Sequence, residues 1–373
     1  MSTDVNLHPA TDANAISHAA LLTHRHIALL TDGYSTPFLA KTAISMLRYR
    51  KFDIAAVIDR NEAGKTAQEL FGTGGNVPVV ADLFDANDID ATKIDALYIG
   101  IAPPGGRLPD QWRSVIQEAI KRKIDIVSGL HDFLTDDKVY LQLAKESGSL
   151  LIDVRRNSFK ETAVRHLFRK GNVRIHAVGN DCSIGKMVAS LEIQMGLVAA
   201  GQDAKFLATG QTGIMISGEG VPIDCVVADF VNGAAEKLVV ENERHDFLLV
   251  EGQGSISHPA YSAVTLGLLH GCAPDGLIFC YEAGRLQVKG FDNIDIPPMK
   301  DQMRACEVNA NLRHPCKIIG IAVNTRLMNN DEALAEIAHA EEIYGLPACD
   351  VYRTGADKLV QACIVLREEL LSK

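Results

Sequence analysis

A glycine-bounded loop that ends in Gly-Lys is the part of the chain whose residue types point most directly to chemistry. It follows an apolar run of strand length, Val173–Val178, and precedes a run of helical spacing, Lys186–Ala200. Backbone N–H groups and a helix N-terminus present partial positive charge to an anion. The layout predicts a cradle for a diphosphate, made of Gly179, Asn180, Asp181, Cys182, Ser183, Ile184, Gly185, Lys186 and Met187.

The spacing departs from the common phosphate-loop pattern G-x-x-x-x-G-K-[ST]. Five residues separate Gly179 from Gly185, and Met187 stands where a Ser or Thr would hold magnesium. The sequence therefore predicts phosphate binding but puts metal-assisted hydrolysis of ATP in doubt. A tight strand-to-helix turn with an incidental lysine is the alternative interpretation.

Polar, glycine-rich loops follow the other predicted strands of the second half. Glu251 ends one strand, where a carboxylate acts as a general base, binds magnesium or orders its own loop. His258 is a candidate for proton transfer near neutral pH, and a structural histidine is the alternative. Because parallel strands share one carboxyl edge, these loops predict a composite site. The substrate-binding candidates are Gln211, Thr212, Gly213, Glu236, Gln253, Gly254, Ser255 and Arg285.

Specific arguments support Arg285 and the pair formed by Asp229 and Glu236. Arg285 offers a planar fork for a substrate carboxylate, with a surface ion pair as the alternative. Asp229 and Glu236 are predicted on one helix, Val226–Val240, with Gly233 between them on the same face. Such a carboxylate pair suits a ligand amine, and a solvated helix face is the alternative.

The elements that must position these residues form two alternations of strands and helices. The first predicts a Rossmann-like domain at residues 25–156, after an irregular lead-in at residues 1–24. The second predicts a doubly wound P-loop NTPase-like domain at residues 157–373, so the fold class is α/β with parallel sheets. The loops Thr31–Tyr34 and Ala102–Arg107 lack a G-x-G-x-x-G fingerprint, so nicotinamide or flavin redox chemistry is not predicted.

Composition narrows the class of protein. The chain has 373 residues, 47% of them hydrophobic, and a net charge of −10, which argues against a dedicated nucleic-acid binder. No apolar run is long enough to span a bilayer, and no secretory signal is visible. The eight cysteines form no C-x-x-C pair, which predicts reduced thiols, a cytoplasmic location and no tightly bound metal.

The order of the phosphate loop, Val250-Glu251-Gly252 and Val323-Asn324 resembles dethiobiotin synthetase and its relatives. That resemblance implies that Lys186 meets phosphates, that Glu251 is an acid of a metal site and that Asn324 lies near a base. Met187 replaces the family's Thr, so the implied ATP-dependent ligase or kinase activity on a small carboxylate is the second hypothesis.

From about Arg25 onward the chain more closely resembles the D-glutamate N-acetyltransferase family. The resemblance is carried by the phosphate loop, Gly210–Gly213, Asp229–Glu236 and Glu251–Ser255. It implies acetyl transfer from acetyl-CoA to the amine of D-glutamate, in D-amino-acid catabolism. Coenzyme A carries a diphosphate, so a cradle without a magnesium ligand fits this donor.

These expectations combine into one hypothesis, an acetyl-CoA-dependent N-acetyltransferase that acts through a ternary complex. We expect the base or amine-holding acid to be Glu251 or Asp229, and His258 to be a further catalytic candidate. Backbone N–H groups of Gly252–Ser255 are candidates to stabilise the oxyanion. We expect small-molecule substrates, no nucleic-acid or membrane partner, and a homo-oligomer.

Overall fold

The computed structural model of the protein describes His18, residues 20–84 and residues 90–372. The chain forms two compact units. The first contains residues up to Asn157 together with Ile214–Glu219, and the second contains Ser158–Gly213 and residues from Gly220 onward. Most of the predicted lead-in lies outside the described residues; within its described end, Leu21 is buried. No helix in the described ranges is long and apolar enough to cross a membrane.

The first unit is built on a six-stranded parallel sheet in the order β3-β2-β1-β4-β5-β6. This is the strand order of a doubly wound dinucleotide-binding fold, so the predicted Rossmann-like topology is confirmed. Its elements are β1 (Ile27–Leu30), α1 (Lys41–Tyr49), β2 (Ile54–Ile58), α2 (Ala67–Phe71), β3 (Val79–Val80), β4 (Ala96–Ile99), α3 (Arg113–Lys121), β5 (Asp125–Ser128), α4 (Lys138–Ser147) and β6 (Leu151–Asp153).

The second unit contains another six-stranded parallel sheet, in the order β12-β11-β10-β7-β9-β8. This confirms the predicted second doubly wound α/β domain. Its elements are β7 (Val173–Gly179), α5 (Lys186–Ala199), β8 (Ala204–Leu207), the start of α6 (Gln211–Ser217, which belongs to the first unit from Ile214 onward), α7 (Val231–Asn242), β9 (Phe247–Val250), α8 (Ser262–Cys272), β10 (Gly276–Glu282), α9 (Met299–Asn311), β11 (Lys317–Asn324), α10 (Asn330–Tyr344), β12 (Ala348–Cys349) and α11 (Asp357–Leu371).

Strand β7 lies between β10 and β9 and is buried along its whole length. Ile175 packs into a core with residues of α5 and α11, whereas Val178 packs into a second core with Leu269 and Phe279. Successive side chains of a strand point to opposite faces, and helices cover both faces of this sheet, so even Arg174 and His176 of the strand are buried. The phosphate loop therefore starts from a rigid central strand.

The structure corrects two predicted elements near the candidate site. The segment after β8 is a helix from Gln211, not a loop through Gly213, because a distant carboxylate accepts hydrogen bonds from the N–H groups that precede the helix. The helix predicted over Val226–Val240 begins at Val231, since short 3₁₀ turns occupy the residues before it. Asp229 therefore lies on a 3₁₀ turn and not on the helix.

Candidate functional site

The phosphate loop leaves β7 at Gly179 and turns into α5 at Lys186. A Cβ on Gly179 would lie 2.4 Å from the carbonyl oxygen of Cys280, so only glycine lets β7 and β10 approach this closely. Gly185 has φ +109° and Ser183 has φ +54°, both in the left-handed region. The loop is therefore a sharply turned connection that glycine makes possible at two of its positions.

The loop and the first turn of α5 present a run of unused backbone donors. Among the described residues, no protein acceptor lies within hydrogen-bonding distance of the N–H groups of residues 183–188. Helix α5 has no acidic residue in its first turn and no side-chain cap. Convergent N–H groups at a helix N-terminus favour an anion. The loop and the start of α5 therefore offer donors to an anion.

Lys186 lies beneath this loop with its ammonium group buried. Its Nζ donates to the carbonyl oxygen of Asp181 at 2.6 Å, and burial lowers the pKa of the ammonium below its ordinary value. The adjacent Met187 is half-buried and provides no oxygen for a metal. The next hydroxyl along α5, Ser190, donates to the carbonyl of Val250. The positive charge at the cradle therefore comes from lysine.

Asp181 is a fully buried carboxylate within the loop. It accepts from the N–H of Cys182 at 2.7 Å, from Arg285 Nη1 at 2.8 Å and from the N–H of Lys289 at 2.9 Å. The bonds connect the phosphate loop to the segment that follows β10. Buried carboxylates persist when donors satisfy both oxygens, as they do here.

Arg285, a predicted ligand for a substrate carboxylate, is engaged in this structure by protein groups. Its Nη1 also donates to the carbonyl of Cys182 at 2.8 Å, and its Nη2 lies 3.0 Å from Glu282 Oε1. Glu282 also binds Arg326 at 2.8 Å, and the two guanidinium groups lower the pKa of this carboxyl even though its burial opposes them. Arg285 therefore stabilises the phosphate loop through its hydrogen bonds to Asp181 and Cys182.

Glu251 directly follows β9, on the other side of β7, and is almost completely buried. Its Oε2 accepts from the N–H groups of Thr209 at 2.9 Å and Gly210 at 3.0 Å, and Gln253 Nε2 donates to Oε1 at 3.2 Å. Burial raises the pKa of the carboxyl to about 7, although these N–H groups and the Lys186 charge oppose the rise. A carboxylate that titrates near neutral pH suits a general base.

Glycines make the room that Glu251 occupies. A Cβ on Gly213 would lie 2.4 Å from Glu251 Oε2, and one on Gly210 would lie 3.1 Å from Oε1. Gln211, Thr212 and Gly213 form the start of α6 beside this carboxylate. The structure thus brings most of the predicted Gly210–Gly213 and Glu251–Ser255 candidates together.

His258 is buried and stacks near Tyr261 and Phe291. Its Nδ1 accepts from the N–H of Ala260 at 3.1 Å, so in the neutral ring the proton is on Nε2. That Nε2 has no hydrogen-bond partner among the described residues and lies 3.8 Å from Asp181 Oδ1. His258 is therefore arranged as a donor at Nε2, which does not suit it to remove a proton there.

The same ring belongs to a group of potential metal ligands. One atom each of Asp181, Cys182 and His258 lies within 4.8 Å of the others. A metal on Nε2 would need the proton on Nδ1, where it would face the N–H of Ala260. In addition, Arg285 and the N–H of Lys289 already occupy the other oxygen of Asp181. The donor set does not fit a metal ion well.

The residues between Glu251 and His258 form a rigid turn. Gly254 has φ +64°, and a Cβ there would lie 2.2 Å from the carbonyl of Tyr261. Ser255 is fully buried, and its Oγ lies 3.3 Å from that of Ser257, which donates to Gln302 Oε1 at 2.6 Å. The N–H groups of residues 253–255 have no protein acceptor within the described ranges.

Within the described part of the chain, Asp229 and Glu236 form no hydrogen bond or ion pair with the loops around Glu251 and the phosphate loop. Asp229 is exposed, whereas Glu236 is buried and accepts from the N–H groups of Val164 at 2.8 Å and His166 at 3.1 Å. At Gly233, a Cβ would lie 2.1 Å from the carbonyl of Glu161, so the close approach there is made by the chain itself. Their predicted roles as base and amine ligand receive no support from these contacts.

Asn324 lies at the end of β11 and contacts the phosphate loop. Its Nδ2 donates to the carbonyl of Ile184 at 3.1 Å, while its Oδ1 accepts from the N–H of Arg326. The resemblance to dethiobiotin synthetase implied a place near a base for Asn324, and the sequence did not reveal the roles of Asp181, Glu282 and Gln302. The only signal for Asp181 was a carboxylate inside a loop predicted to bind an anion.

In the first unit, the acidic residue after β2 is engaged by the loop that follows β1. Asp59, which follows β2, accepts from the N–H of Gly33 at 3.1 Å and from Ser35 Oγ at 2.5 Å. Dinucleotide-binding folds use an acid at this strand end for the ribose hydroxyls. Here that acid is bound to the loop after β1, which agrees with the missing glycine fingerprint.

Two family models match different parts of the chain. Residues 60–157 match the family described as "Domain of unknown function (DUF1611_N) Rossmann-like domain". Residues 164–360 match "Domain of unknown function (DUF1611_C) P-loop domain". A crystal structure of a DUF1611 family protein from Anabaena variabilis is similar, with a TM-score of 0.85 and 35% identity over 91% of this chain and 99% of that one.

Two relatives carry a functional name. "D-glutamate N-acetyltransferase" from Tritonibacter scottomollicae is 39% identical over 294 residues, which are 79% of this chain and 87% of the relative. A protein of the same name from Pseudoalteromonas sp is 38% identical over 274 residues, 73% of this chain and 82% of the relative. The chain is thus a member of the DUF1611 family and is homologous to proteins named D-glutamate N-acetyltransferase.

Proposed function

We propose that the protein transfers the acetyl group of acetyl-CoA to the amine of D-glutamate. The names of its relatives support an acetyltransferase-like function. The observation that carries the proposal is local. The N–H groups of residues 183–188 are unused, Lys186 among them lies near enough for its charge to act on Glu251, and burial raises the pKa of Glu251 to about 7. An anion cradle next to a buried base suits a donor with a diphosphate and an acceptor with an amine.

The donor would be held by backbone and lysine. The N–H groups of the phosphate loop and the first turn of α5 suit the diphosphate, and Lys186 supplies a positive charge. Acetyl transfer breaks no phosphate bond, so no metal is needed to polarise one. Met187, in place of a magnesium-binding hydroxyl, agrees with this use of the cradle.

The acceptor amine must lose a proton before it can attack. We assign that proton to Glu251, whose ionised form predominates above about pH 7. The nitrogen then forms a bond to the acetyl carbon, and the carbon–sulfur bond breaks. The departing thiolate takes the second proton of that nitrogen, so that the amide and free coenzyme A are the products. N–H groups of residues 253–255, which have no acceptor within the described part of the chain, are candidates to stabilise the carbonyl oxygen as its charge develops.

The reaction needs no acyl-enzyme. Cys182 is near His258, but His258 carries its proton on Nε2 in the neutral ring, so it is not arranged to take a proton from the thiol. Direct transfer within a ternary complex is therefore the favoured route. A Cys182→Ala enzyme is expected to retain activity, and complete loss of activity with normal folding would contradict this route.

Release of free thiol tests the proposal. Purified protein is incubated with D-glutamate and either acetyl-CoA in a chelator or ATP with magnesium, and free thiol and ADP are followed. Thiol release that depends on D-glutamate is the expected result. ADP release alone supports the ligase hypothesis, and a protein that neither binds nor consumes acetyl-CoA refutes the transferase.

A further inference from the structure

Three side chains donate hydrogen bonds to main-chain carbonyl groups of the phosphate loop. Lys186 Nζ binds the carbonyl of Asp181 at 2.6 Å, Arg285 Nη1 that of Cys182 at 2.8 Å, and Asn324 Nδ2 that of Ile184 at 3.1 Å. The lysine belongs to the loop's own helix. Arg285 and Asn324 instead come from the ends of β10 and β11, which lie on one side of β7.

A held carbonyl fixes the direction of the next N–H group. The peptide unit is planar and trans, so its C=O and N–H bonds point in opposite directions. Arg285 therefore turns the N–H of Ser183 away from itself, and Asn324 does the same for the N–H of Gly185. Neither N–H group has an acceptor among the described residues. Both are left available to a ligand.

The loop needs such support because its conformation is not the relaxed one. Ser183 has φ +54°, a left-handed region that is unfavourable for a residue with a Cβ. Such conformations persist where surrounding contacts hold them. Arg285 is in turn held by Asp181 and Glu282, and the N–H of Arg326 fixes the amide of Asn324 so that its Nδ2 faces Ile184.

We propose that Arg285 and Asn324 are positioning residues that aim the N–H groups of Ser183 and Gly185 into the anion cradle. The inference deepens the proposed function, because it takes the diphosphate of the acetyl donor as the anion. It assigns Arg285 to the loop rather than to a substrate carboxylate. It also assigns Asn324 to the loop rather than to a base.

Asn324→Leu is the sharpest test, because it removes the donor without changing any charge. Binding of inorganic pyrophosphate in the absence of metal is measured by calorimetry over a range of salt concentrations. The affinity is expected to fall about tenfold, the effect of one well-placed hydrogen bond. The salt dependence should stay as in the wild type, since no ion pair to the ligand is lost. KM for D-glutamate at saturating acetyl-CoA should not change.

Arg326→Gln is the matched control. Arg326 shares Glu282 with Arg285, but its side chain donates to no carbonyl of the loop, and its N–H to Asn324 survives the change. We expect less than a threefold loss of pyrophosphate affinity. Equal losses in Asn324→Leu and Arg326→Gln would overturn the inference.

Arg285→Lys is the second variant, in case Asn324→Leu folds poorly. It keeps the charge, but a single ammonium does not reproduce the forked contacts with Asp181, Cys182 and Glu282. A fivefold to tenfold weaker affinity for pyrophosphate, about the loss of one hydrogen bond, is expected. Unchanged affinity in the folded variants overturns the positioning role alone. A wild-type protein that binds neither pyrophosphate nor coenzyme A overturns the proposed donor site instead.

Discussion

Replacing Glu251 with Gln is expected to lower the catalytic rate and, at alkaline pH, to raise the stability of the fold. The side chain keeps its size, and an amide oxygen in the place of Oε2 can still accept from both Thr209 and Gly210, but it can no longer take a proton. Loss of a general base lowers kcat about 100- to 10,000-fold. In the wild type, a base with a pKa of about 7 is ionised about tenfold more at pH 8 than at pH 6, so kcat/KM should rise about tenfold over that range.

The same substitution should stabilise the protein at alkaline pH. The folded-state pKa of Glu251 is raised from 4.5 to about 7, so the folded state holds a proton that the unfolded state releases. Stability of the wild type therefore falls as pH rises from about 4.5 to 7, by at most about 3 kcal/mol. Glu251→Gln does not lose this stability. Its amide nitrogen replaces Oε1, the acceptor for Gln253 Nε2, and this lost hydrogen bond costs about 1 kcal/mol.

Thermal unfolding at pH 5 and pH 8 is the assay for this stability difference. We expect the melting temperature of Glu251→Gln to exceed that of the wild type at pH 8 and to approach it at pH 5. Glu282→Gln is the matched control, because Glu282 is also buried but its pKa is lowered by Arg326 and Arg285. That variant should be less stable than the wild type at pH 8. A Glu251→Gln protein that is fully active, or less stable at pH 8, would refute the reasoning.

The other predictions concern the cradle, the glycines and metal. Lys186→Met should weaken coenzyme A binding at least tenfold by calorimetry; an unchanged affinity would place the diphosphate elsewhere. Gly213→Ala, whose Cβ would lie 2.4 Å from Glu251 Oε2, should lower kcat and destabilise the fold by about 1–3 kcal/mol in denaturant titration. Gly233→Ala should destabilise similarly because of the carbonyl of Glu161 at 2.1 Å, yet leave KM for both substrates unchanged. Chelators should not reduce turnover, and inactivation reversed by a divalent ion would count against a metal-free site.

The phosphate loop was predictable because its signals are local. A buried strand, a glycine-bounded turn and a Lys at a helix start are adjacent in the chain, and the structure places Val173–Gly179 and Lys186–Ala199 accordingly. The parallel sheets followed from the alternation of apolar runs with helical spacing. Glu251 was predictable as a carboxylate at the end of a strand. Its raised pKa was not, because it depends on burial, and Gly213 of α6 packs against this carboxylate. The glycine-rich sequence of that segment did not predict the helix.

The roles of Arg285 and Asn324 depend on distant partners. Arg285 donates a hydrogen bond to Asp181, which lies more than a hundred residues earlier in the chain. Asn324, at the end of β11, donates to the carbonyl of Ile184 in the phosphate loop. A sequence gives the residue types but not these pairings. For Asp229 and Glu236, the sequence instead suggested a pairing that the structure does not contain. Their spacing predicted one helix face, but Asp229 precedes the helix. Glu236 instead anchors the N–H groups of Val164 and His166.

The fate of the acetyl group tests the central claim most directly. Protein is incubated with D-glutamate and acetyl-CoA labelled with ¹³C in the acetyl group, in the presence of a chelator, and the products are identified by mass spectrometry. The account predicts labelled N-acetylglutamate and free coenzyme A in equal amounts, with no label left on the protein. Label that remains on acetyl-CoA, or that appears only as acetate, would contradict it.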